Sequence, residues 1–266
     1  MKAENRSESR GNRRDIRQYI FVIRELTARE IKRKYVGSSL GIIWSVLNPL
    51  LHMVVMSLIF STMFRHSIEN FPIYYLTGQI FWILFSGATE SAMTALVDNK
   101  SLLIKSKLPR QTFVLSRVYT SLVNFGYTCI AYVLMLVVFQ VKPSAALLLF
   151  PLSVIFMLTI SAGVGYILSV IYVFFADVKY LYSVFLTLWM YMSALFYPIT
   201  SLPEVMRDFI GCNPVYVCIA FARECVMYGR VPDMMMWMKL IGWSLGSLTV
   251  GYHFFRIKEN QIMQRI

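Results

Sequence analysis

The stretch RELTAREIKRKYVGSSLGIIW, residues 24 to 44, passes from a dense set of charges into an apolar segment with almost no pause. The apolar segment continues to about residue 64 and is much longer than the roughly 7 to 15 residues of a signal-peptide core. We therefore predict that residues 40–64 form a retained membrane span. The charged residues before it are expected to lie on the membrane surface.

Residues 1–39 carry the pattern of an amphipathic helix. With a helical period of about 3.6 residues, the apolar side chains share one sector and the charged ones cover the opposite face. The apolar sector comprises Ile16, Tyr19, Ile20, Ile23, Leu26 and Ile31. The charged face comprises Arg17, Arg24, Glu25, Arg29, Lys32 and Arg33. We expect this helix to lie in the membrane interface and to bind anionic lipid, with a simple topology anchor as the alternative.

The composition is that of a polytopic membrane protein. Of the 266 residues 57% are hydrophobic and 15% are charged, whereas a soluble domain carries about 25% charged residues. A bilayer core takes about 20 apolar residues per helix, and the sequence contains six apolar runs of this kind. They cover residues 40–64, 73–97, 113–141, 145–175, 181–199 and 234–255. The predicted fold class is all-α, with a six-helix transmembrane domain over residues 40–255.

The segment 200–233, between the fifth and sixth runs, has a different character. It is too polar to cross a bilayer and too apolar for a free loop. Pro203, Gly211 and Pro214 interrupt it, and helical-looking sequence follows the second proline. Irregular backbone at membrane depth is tolerated only where protein or a wet cavity satisfies its polar groups. We predict re-entrant half-helices here.

The distribution of Lys and Arg predicts the orientation. The net charge of +12 would favour a nucleic-acid partner in a soluble protein, but in a membrane protein the side on which the charges lie matters more. Residues 1–39 hold eleven Lys and Arg, and nine more lie in or beside the 98–112 loop, in the 176–180 turn and in the 256–266 tail. Only five fall on the other side. Both termini are therefore predicted to be in the cytoplasm, with no nucleic-acid partner and the chain in the cytoplasmic membrane.

Four stretches resemble, in their order and spacing, the membrane subunit of ABC-2 type exporters of cell-surface polysaccharides: the O-antigen, capsule and teichoic acid permeases. They are RELTAREIKRKYVGSSLGIIWSVLNPLL, NKSLLIKSKLPRQTFVLSRV, FFADVKYLYSVFLTLWMYMSALFYPITSLP and NPVYVCIAFARECVMYG. The resemblance implies a homodimer above two ATPase subunits and a lipid-linked polysaccharide as substrate. The sequence has no GxxxxGK[ST] phosphate loop, so no nucleotide cofactor is expected in this chain. ATP and Mg²⁺ are expected on the partner.

Two basic segments are the expected contacts with that ATPase. The resemblance implies that the 98–112 loop contains a coupling helix, and that the amphipathic helix is an interface helix whose polar face meets the same subunit. The residues assigned to coupling are Arg29, Glu30, Lys105, Lys107, Leu108, Pro109 and Arg110. An ordinary short basic loop is the alternative.

Three residues inside the predicted spans are unusual in an apolar helix. Pro49 removes one backbone hydrogen bond and is expected to kink the first span, which makes it a candidate flex point for gating. Glu90 lies inside the second span, about two helical turns from its cytoplasmic end, and a buried carboxylate there needs a partner. Arg117 lies at a similar depth at the start of the third span. We predict a structural ion pair between Glu90 and Arg117, with a contact to the substrate as the alternative.

The outer half of the chain carries the candidate sugar contacts. Aromatic rings stack on the CH faces of sugars, and Asn, Arg and carboxylates hydrogen-bond the hydroxyls. The predicted pathway and gate residues are Pro49, Trp82, Tyr191, Phe196, Tyr197, Asn213, Tyr216, Arg223 and Glu224. Aromatic residues are also enriched at membrane interfaces as anchors, which is the alternative for each of them.

Other classes of function fit the sequence less well. An exporter of a drug or another small amphiphile is the nearest alternative. A transferase acting on lipid-linked sugars would need paired acids or an HxxxxD or DxD pattern, and a secondary transporter would be expected to show inverted repeats; none of these was found. The four cysteines form no CxxC pair, so no metal site is predicted.

Overall fold

The computed structural model describes residues 2–37, 40–64, 68–105 and 108–265, and of residues 2–18 it describes the backbone only. The regular elements in this part of the chain are all helices, the conformation in which an apolar segment satisfies its own backbone polar groups without water. They are α1 (Lys2–Tyr35), α2 (Ile43–Phe60), α3 (Phe71–Asp98), α4 (Lys100–Lys105), α5 (Gln111–Val138), α6 (Phe150–Phe174), α7 (Val178–Tyr191), α8 (Glu204–Gly211), α9 (Pro214–Val226) and α10 (Met234–Arg265). Short 3-10 turns at Ala145–Leu149 and Ile199–Ser201 precede α6 and α8.

Four helical stretches in the described part of the chain are long and apolar enough to cross a membrane. They are Ile43–Phe60, Phe71–Asp98, Gln111–Val138 and Ala145–Phe174, and they match the first four predicted spans within a few residues. The pair formed by α8 and α9 adds a fifth if it is counted as one span bent by 89°. The membrane-embedded, all-helical class is therefore confirmed.

The fifth predicted span, residues 181–199, was placed too far along the chain. The helix α7 has 14 residues, about 21 Å at 1.5 Å per residue, against a bilayer core of about 30 Å. The apolar composition continues after Tyr191, but Ala194 adopts a left-handed φ of 46°. The end of the helix is held by Asn213, whose Nδ2 donates to the backbone oxygen of Met192 at 2.9 Å.

The sixth predicted span is helical, but it is not among the described helices that are apolar enough to cross a membrane, and its helix continues beyond the predicted end. The helix α10 runs unbroken for 32 residues through the segment that was predicted as a separate tail, 256–266. After Gly251 the sequence contains no Gly or Pro that would stop it. The part that follows residue 255 is therefore a helical extension of the bundle.

The centre of the bundle is α3, which packs against α5 on one side and α6 on the other. Its apolar stretch is 61% buried, against 11% for that of α2, which leaves most of α2 exposed at the surface of the chain. On the far side of α6 lies α10, and the two backbones touch. A Cβ atom added to Gly251 would lie 2.1 Å from the backbone oxygen of Gly163. Only glycine permits this approach at the crossing.

The helix α1 packs on α5 through part of the predicted apolar sector. Leu26 of that sector is buried, together with Thr27 and Glu30 on the same face, whereas Tyr19 and Ile20, nearer the start of the helix, are exposed. The hydroxyl of Thr27 donates to the backbone oxygen of Ser116 on α5, at 3.3 Å. Ile16 and Arg17 belong to the residues whose side chains are not described.

Candidate coupling and translocation sites

An ion-pair network joins α1 to the neighbouring ends of α3 and α5. Nη1 of Arg117 lies 2.6 Å from Oε2 of Glu30, and its Nη2 lies 2.9 Å from Oδ2 of Asp98. Arg33 donates to the same Glu30 oxygen at 2.9 Å. Both Arg117 and Glu30 are buried, and a buried charge without a partner costs several kcal/mol. The network therefore fixes α1 against the bundle.

Two predictions about this region were wrong. Within the described residues Arg117 pairs with Glu30 and Asp98 rather than with Glu90, which is exposed. Glu30, assigned to the face that meets the ATPase, instead points into the protein. The reason is the same in both cases: hydropathy gives the depth of a residue in a span, but not the side of the helix on which it lies.

The 98–112 loop contains the short helix α4. Its Leu103 is buried in a cluster formed by α6 and the adjoining ends of α3, α5 and α10, and this contact holds the helix in place. Lys105, at the end of α4, is exposed, whereas Leu108 and Pro109 are partly buried. Lys107 lies outside the described residues. The exposed Lys105 therefore lies at the end of a short helix that is anchored by the buried Leu103.

Arg110 follows the loop and has a partner within the chain. Its Nη1 lies 3.2 Å from Oε1 of Glu259 and also donates to the backbone oxygen of Glu259 at 3.2 Å. Glu259 belongs to the extension of α10, so the loop and the end of α10 are tied together. Arg29 remains half exposed, and its guanidinium donates to the side-chain oxygen of Asn99. Of the charged residues assigned to coupling, Lys105 and Arg29 are accessible from outside.

The segment 200–233 is fixed by Arg223, which is 3% exposed. Its guanidinium donates to three backbone carbonyls: to Tyr74 at 3.1 Å, to Ala194 at 3.1 Å and to Leu195 at 3.0 Å. It also stacks on the ring of Tyr74, with 3.4 Å between Cζ and the ring centroid. Arg223 therefore joins α9, α3 and the turn after α7. In this arrangement its donors are engaged with the backbone.

Asn213 has a similar structural position at the start of α9. Its Oδ1 accepts from the backbone N–H of Val215 at 3.0 Å, which caps the helix, and from Nε1 of Trp189 at 2.9 Å. Its Nδ2 donates to Met192 and to the hydroxyl of Ser193, at 2.9 and 3.1 Å. The amide is fully hydrogen-bonded, so binding a sugar would require breaking these contacts.

Three predicted pathway aromatics form one cluster after α7. The ring centroids of Phe196 and Tyr191 are 5.5 Å apart, and those of Phe196 and Tyr197 are 5.6 Å apart. Phe196 also stacks on Phe60 at the end of α2, at 5.8 Å. Tyr191 is 53% exposed, so the cluster reaches the surface of the chain.

Tyr216 and Glu224 line a cavity of about 290 Å³. Tyr74, Tyr228 and Arg230 also line it, and Arg223 closes one wall. Phenol, carboxylate and guanidinium groups are therefore brought together beside the aromatic cluster, to which Tyr74 is joined by a hydrogen bond of 3.0 Å to the backbone oxygen of Tyr197.

The other two predicted pathway residues lie elsewhere. Trp82 is buried in the core of α3, where its ring contacts Phe85 at 6.0 Å. Pro49 is buried within α2, six residues after its start. Neither belongs to the aromatic cluster or lines the cavity of Tyr216 and Glu224.

The family model for the ABC-2 type transporter matches residues 22–224, which include α1 from Val22 onward, the 98–112 loop and most of α9. This chain belongs to the ABC-2 type transporter family. An O-antigen export system permease protein RfbA of Myxococcus xanthus is 32% identical over 256 residues, which cover 95% of this chain and 98% of that protein. A Klebsiella pneumoniae protein of the same name is 29% identical over 80% of this chain and 83% of its own. The polysialic acid transport protein KpsM of Escherichia coli is 23% identical over 91% and 95%.

As an ABC-2 type transporter, the chain is a transport permease. Within its described residues no group of three or more His, Cys, Asp or Glu could hold a metal ion. The family match ends at residue 224, so Glu259, the partner of Arg110, lies beyond it.

The sequence interpretation missed Asp98, Lys239 and Glu259. Asp98 ends α3 where the basic loop begins, and that position was a usable signal for an ion pair. Lys239 lies within the apolar run 234–255, and its Nζ donates to the backbone oxygen of Gly211, the last residue of α8, at 2.8 Å. A cation at a helix C-terminus is favourable because the carbonyl groups there have no helical partner.

Proposed function

We propose that this chain is the membrane-spanning permease subunit of an ATP-driven exporter that moves a lipid-linked cell-surface polysaccharide across the cytoplasmic membrane. The observation that carries the proposal is the match along nearly the whole of both chains to a protein named as an O-antigen export permease. The two families of named relatives, O-antigen and polysialic acid exporters, share a polysaccharide cargo.

The energy for transport comes from a separate ATPase that binds ATP and Mg²⁺. Two features support this: the sequence lacks a phosphate loop, and the chain carries exposed cations, Arg29 and Lys105, beside the short helix α4. The ATPase binds from the cytoplasmic side, where both termini lie.

The complete permease has six spans per chain and works as a homodimer. In this arrangement α7 with the turn after it is the fifth span and α10 is the sixth, and the bent pair of α8 and α9 is a re-entrant hairpin. Many apolar side chains of α2 and α7 are exposed in the single chain, and within a membrane such a face is covered either by lipid or by a second copy. The aromatic cluster of Phe196 and the cavity of Tyr216 then lie near the outer end of the passage.

Co-purification tests the ATPase assignment. The tagged chain, expressed with the ATPase encoded beside it, is expected to retain that ATPase through purification, and ATP hydrolysis is expected only in the complex. Lys105→Glu should weaken retention of the ATPase several-fold. The reversed charge would repel the acidic surface that Lys105 is expected to meet at the rim of the interface. Lys142→Glu, which changes an exposed lysine after α5, is the matched control and should leave retention unchanged. Failure of the wild-type chain to retain the ATPase would overturn the assignment.

A further inference from the structure

A polar crevice runs along the inner half of the bundle, between α1, α2, α3 and α5. Its lower chamber, of about 360 Å³, lies beneath α1. Its upper chamber, of about 230 Å³, reaches Asn48 and Pro49 in α2. The two chambers share Lys34, Ile83 and Asn124 in their walls, so they lie side by side. This crevice is separate from the aromatic cluster and from the cavity of Tyr216.

The lower chamber has an excess of positive charge. Arg33, Lys34 and Arg117 line it, with Glu30 as the acidic residue in its wall. Arg117 is buried and is held in place by Glu30 and Asp98. Lys34 has no carboxylate partner among the described residues, and its Nζ donates to Oδ1 of Asn124 at 3.2 Å. Its charge is therefore available to an anion that enters the chamber.

The walls also carry acceptors for hydroxyl groups. The hydroxyls of Ser91 and Ser121 each donate to a backbone oxygen of their own helix, at 2.6 and 3.2 Å, and each oxygen can still accept a hydrogen bond. Oε1 of Glu30 is buried and accepts no hydrogen bond within the described part of the chain; Nη2 of Arg29 lies 3.6 Å from it. A buried carboxylate oxygen in that state favours a donor from a ligand.

The upper chamber suits the ring of a sugar. Ser45, Asn48 and Thr128 supply hydroxyl and amide groups, and the rings of Tyr35 and Trp44 lie in the same wall. Tyr35 is held by a hydrogen bond to the hydroxyl of Ser45. Polar groups and aromatic faces together are the combination that binds carbohydrate.

From these observations we infer that the crevice is a binding site for the head of the lipid-linked glycan, with its phosphate in the lower chamber and its first sugar in the upper one. This inference rests on the proposed function. It adds where the head of the glycolipid binds and which of its groups lies in which chamber. Lys34 and Arg33 bind the phosphate oxygens. Glu30 accepts a hydrogen bond from a hydroxyl group of the ligand. Trp44 and Asn48 contact the sugar. The lipid chain remains in the bilayer beside the bundle.

Native mass spectrometry of the purified full chain in detergent tests the site. Three probes are titrated: a polyprenyl diphosphate that carries one N-acetylhexosamine, the same polyprenyl diphosphate without sugar, and phosphatidylglycerol. We expect the affinities to decrease in that order. Lys34→Gln should lower the affinity for both diphosphates about tenfold, because it removes one charge-assisted hydrogen bond to phosphate. Asn48→Ala should remove the advantage of the sugar-bearing probe only.

Lys32→Gln is the matched control, since Lys32 is an exposed cation on the same helix that does not line the crevice. The inference is overturned if Lys32→Gln and Lys34→Gln have equal effects, or if phosphatidylglycerol binds as tightly as the sugar-bearing probe. In that case the basic residues bind bulk anionic lipid. The proposed function has a separate readout, the surface polysaccharide of cells, so its failure is distinguishable from failure of the site.

Discussion

Arg117 and Arg223 are the buried arginines of the described chain, and they are accommodated in different ways. Arg117 has two carboxylate partners, on α1 and at the end of α3. Arg223 has carbonyl groups and an aromatic ring. The sequence predicted an acidic partner for Arg117 but named Glu90, and it placed Arg223 in the pathway. Depth can be inferred from hydropathy, whereas the partner depends on helix rotation and on loops far along the chain.

Replacement of Arg223 tests its structural role. Arg223→Leu leaves the backbone oxygens of Tyr74, Ala194 and Leu195 without their donor, and each buried unsatisfied group costs about 1–3 kcal/mol. We expect a loss of about 3 kcal/mol or more in the free energy of unfolding, read as a lower thermal midpoint in detergent. Arg24→Leu, an exposed arginine on α1, is the control. Equal midpoints for Arg223→Leu and the wild type would contradict the role.

At the scale of elements, α10 connects the two ends of the molecule. Near its start, Lys239 binds the end of α8, and near its finish Glu259 binds Arg110 of the 98–112 loop. Between them, Gly251 presses against Gly163 of α6. The apolar run 234–255 correctly predicted a helix, but its continuation could have been inferred only from the absence of a stop signal after Gly251. The early end of α7 had no local signal, because it depends on Asn213.

Replacement of Gly251 by a larger residue tests the close contact between α6 and α10. Gly251→Leu forces the two backbones apart, and overpacking of this kind costs about 1–3 kcal/mol. The expected result is a lower thermal midpoint and a smaller monodisperse fraction on size exclusion. Gly246→Leu, on the same helix with no atom within 4 Å of the added Cβ, should behave as the wild type. If both variants behave alike, the close approach is not part of the native packing.

The whole molecule exposes more apolar surface on α2 and α7 than on the central helices. Composition and Lys and Arg counts were enough to predict a helical membrane protein, and four quoted stretches were enough to indicate the family. The contacts made within the candidate sites were harder to predict from the sequence. Asn213 and Arg223 were recognised as unusual polar residues, but their contacts are structural and could be found only when α3, α7 and α9 were placed together.

The dimer is testable by mass. Native mass spectrometry or light scattering of the purified chain is expected to give twice the 30.8 kDa of one chain. A charged residue on the exposed face of α2, as in Val55→Glu, should shift the population to monomer, because burying an unpaired charge in an apolar interface is unfavourable. The exposed Val205→Glu on α8 is the control. A monomer at all concentrations in the wild type would contradict the proposal.

The most direct measurement is the location of the surface polysaccharide in cells that lack this chain. We predict that polymer disappears from the cell surface, as judged by antibody or lectin labelling of intact cells, and accumulates in a lipid-linked form inside them until the wild-type gene is restored. Unchanged surface polysaccharide in the deletion strain, with no lipid-linked polymer inside, would contradict the account.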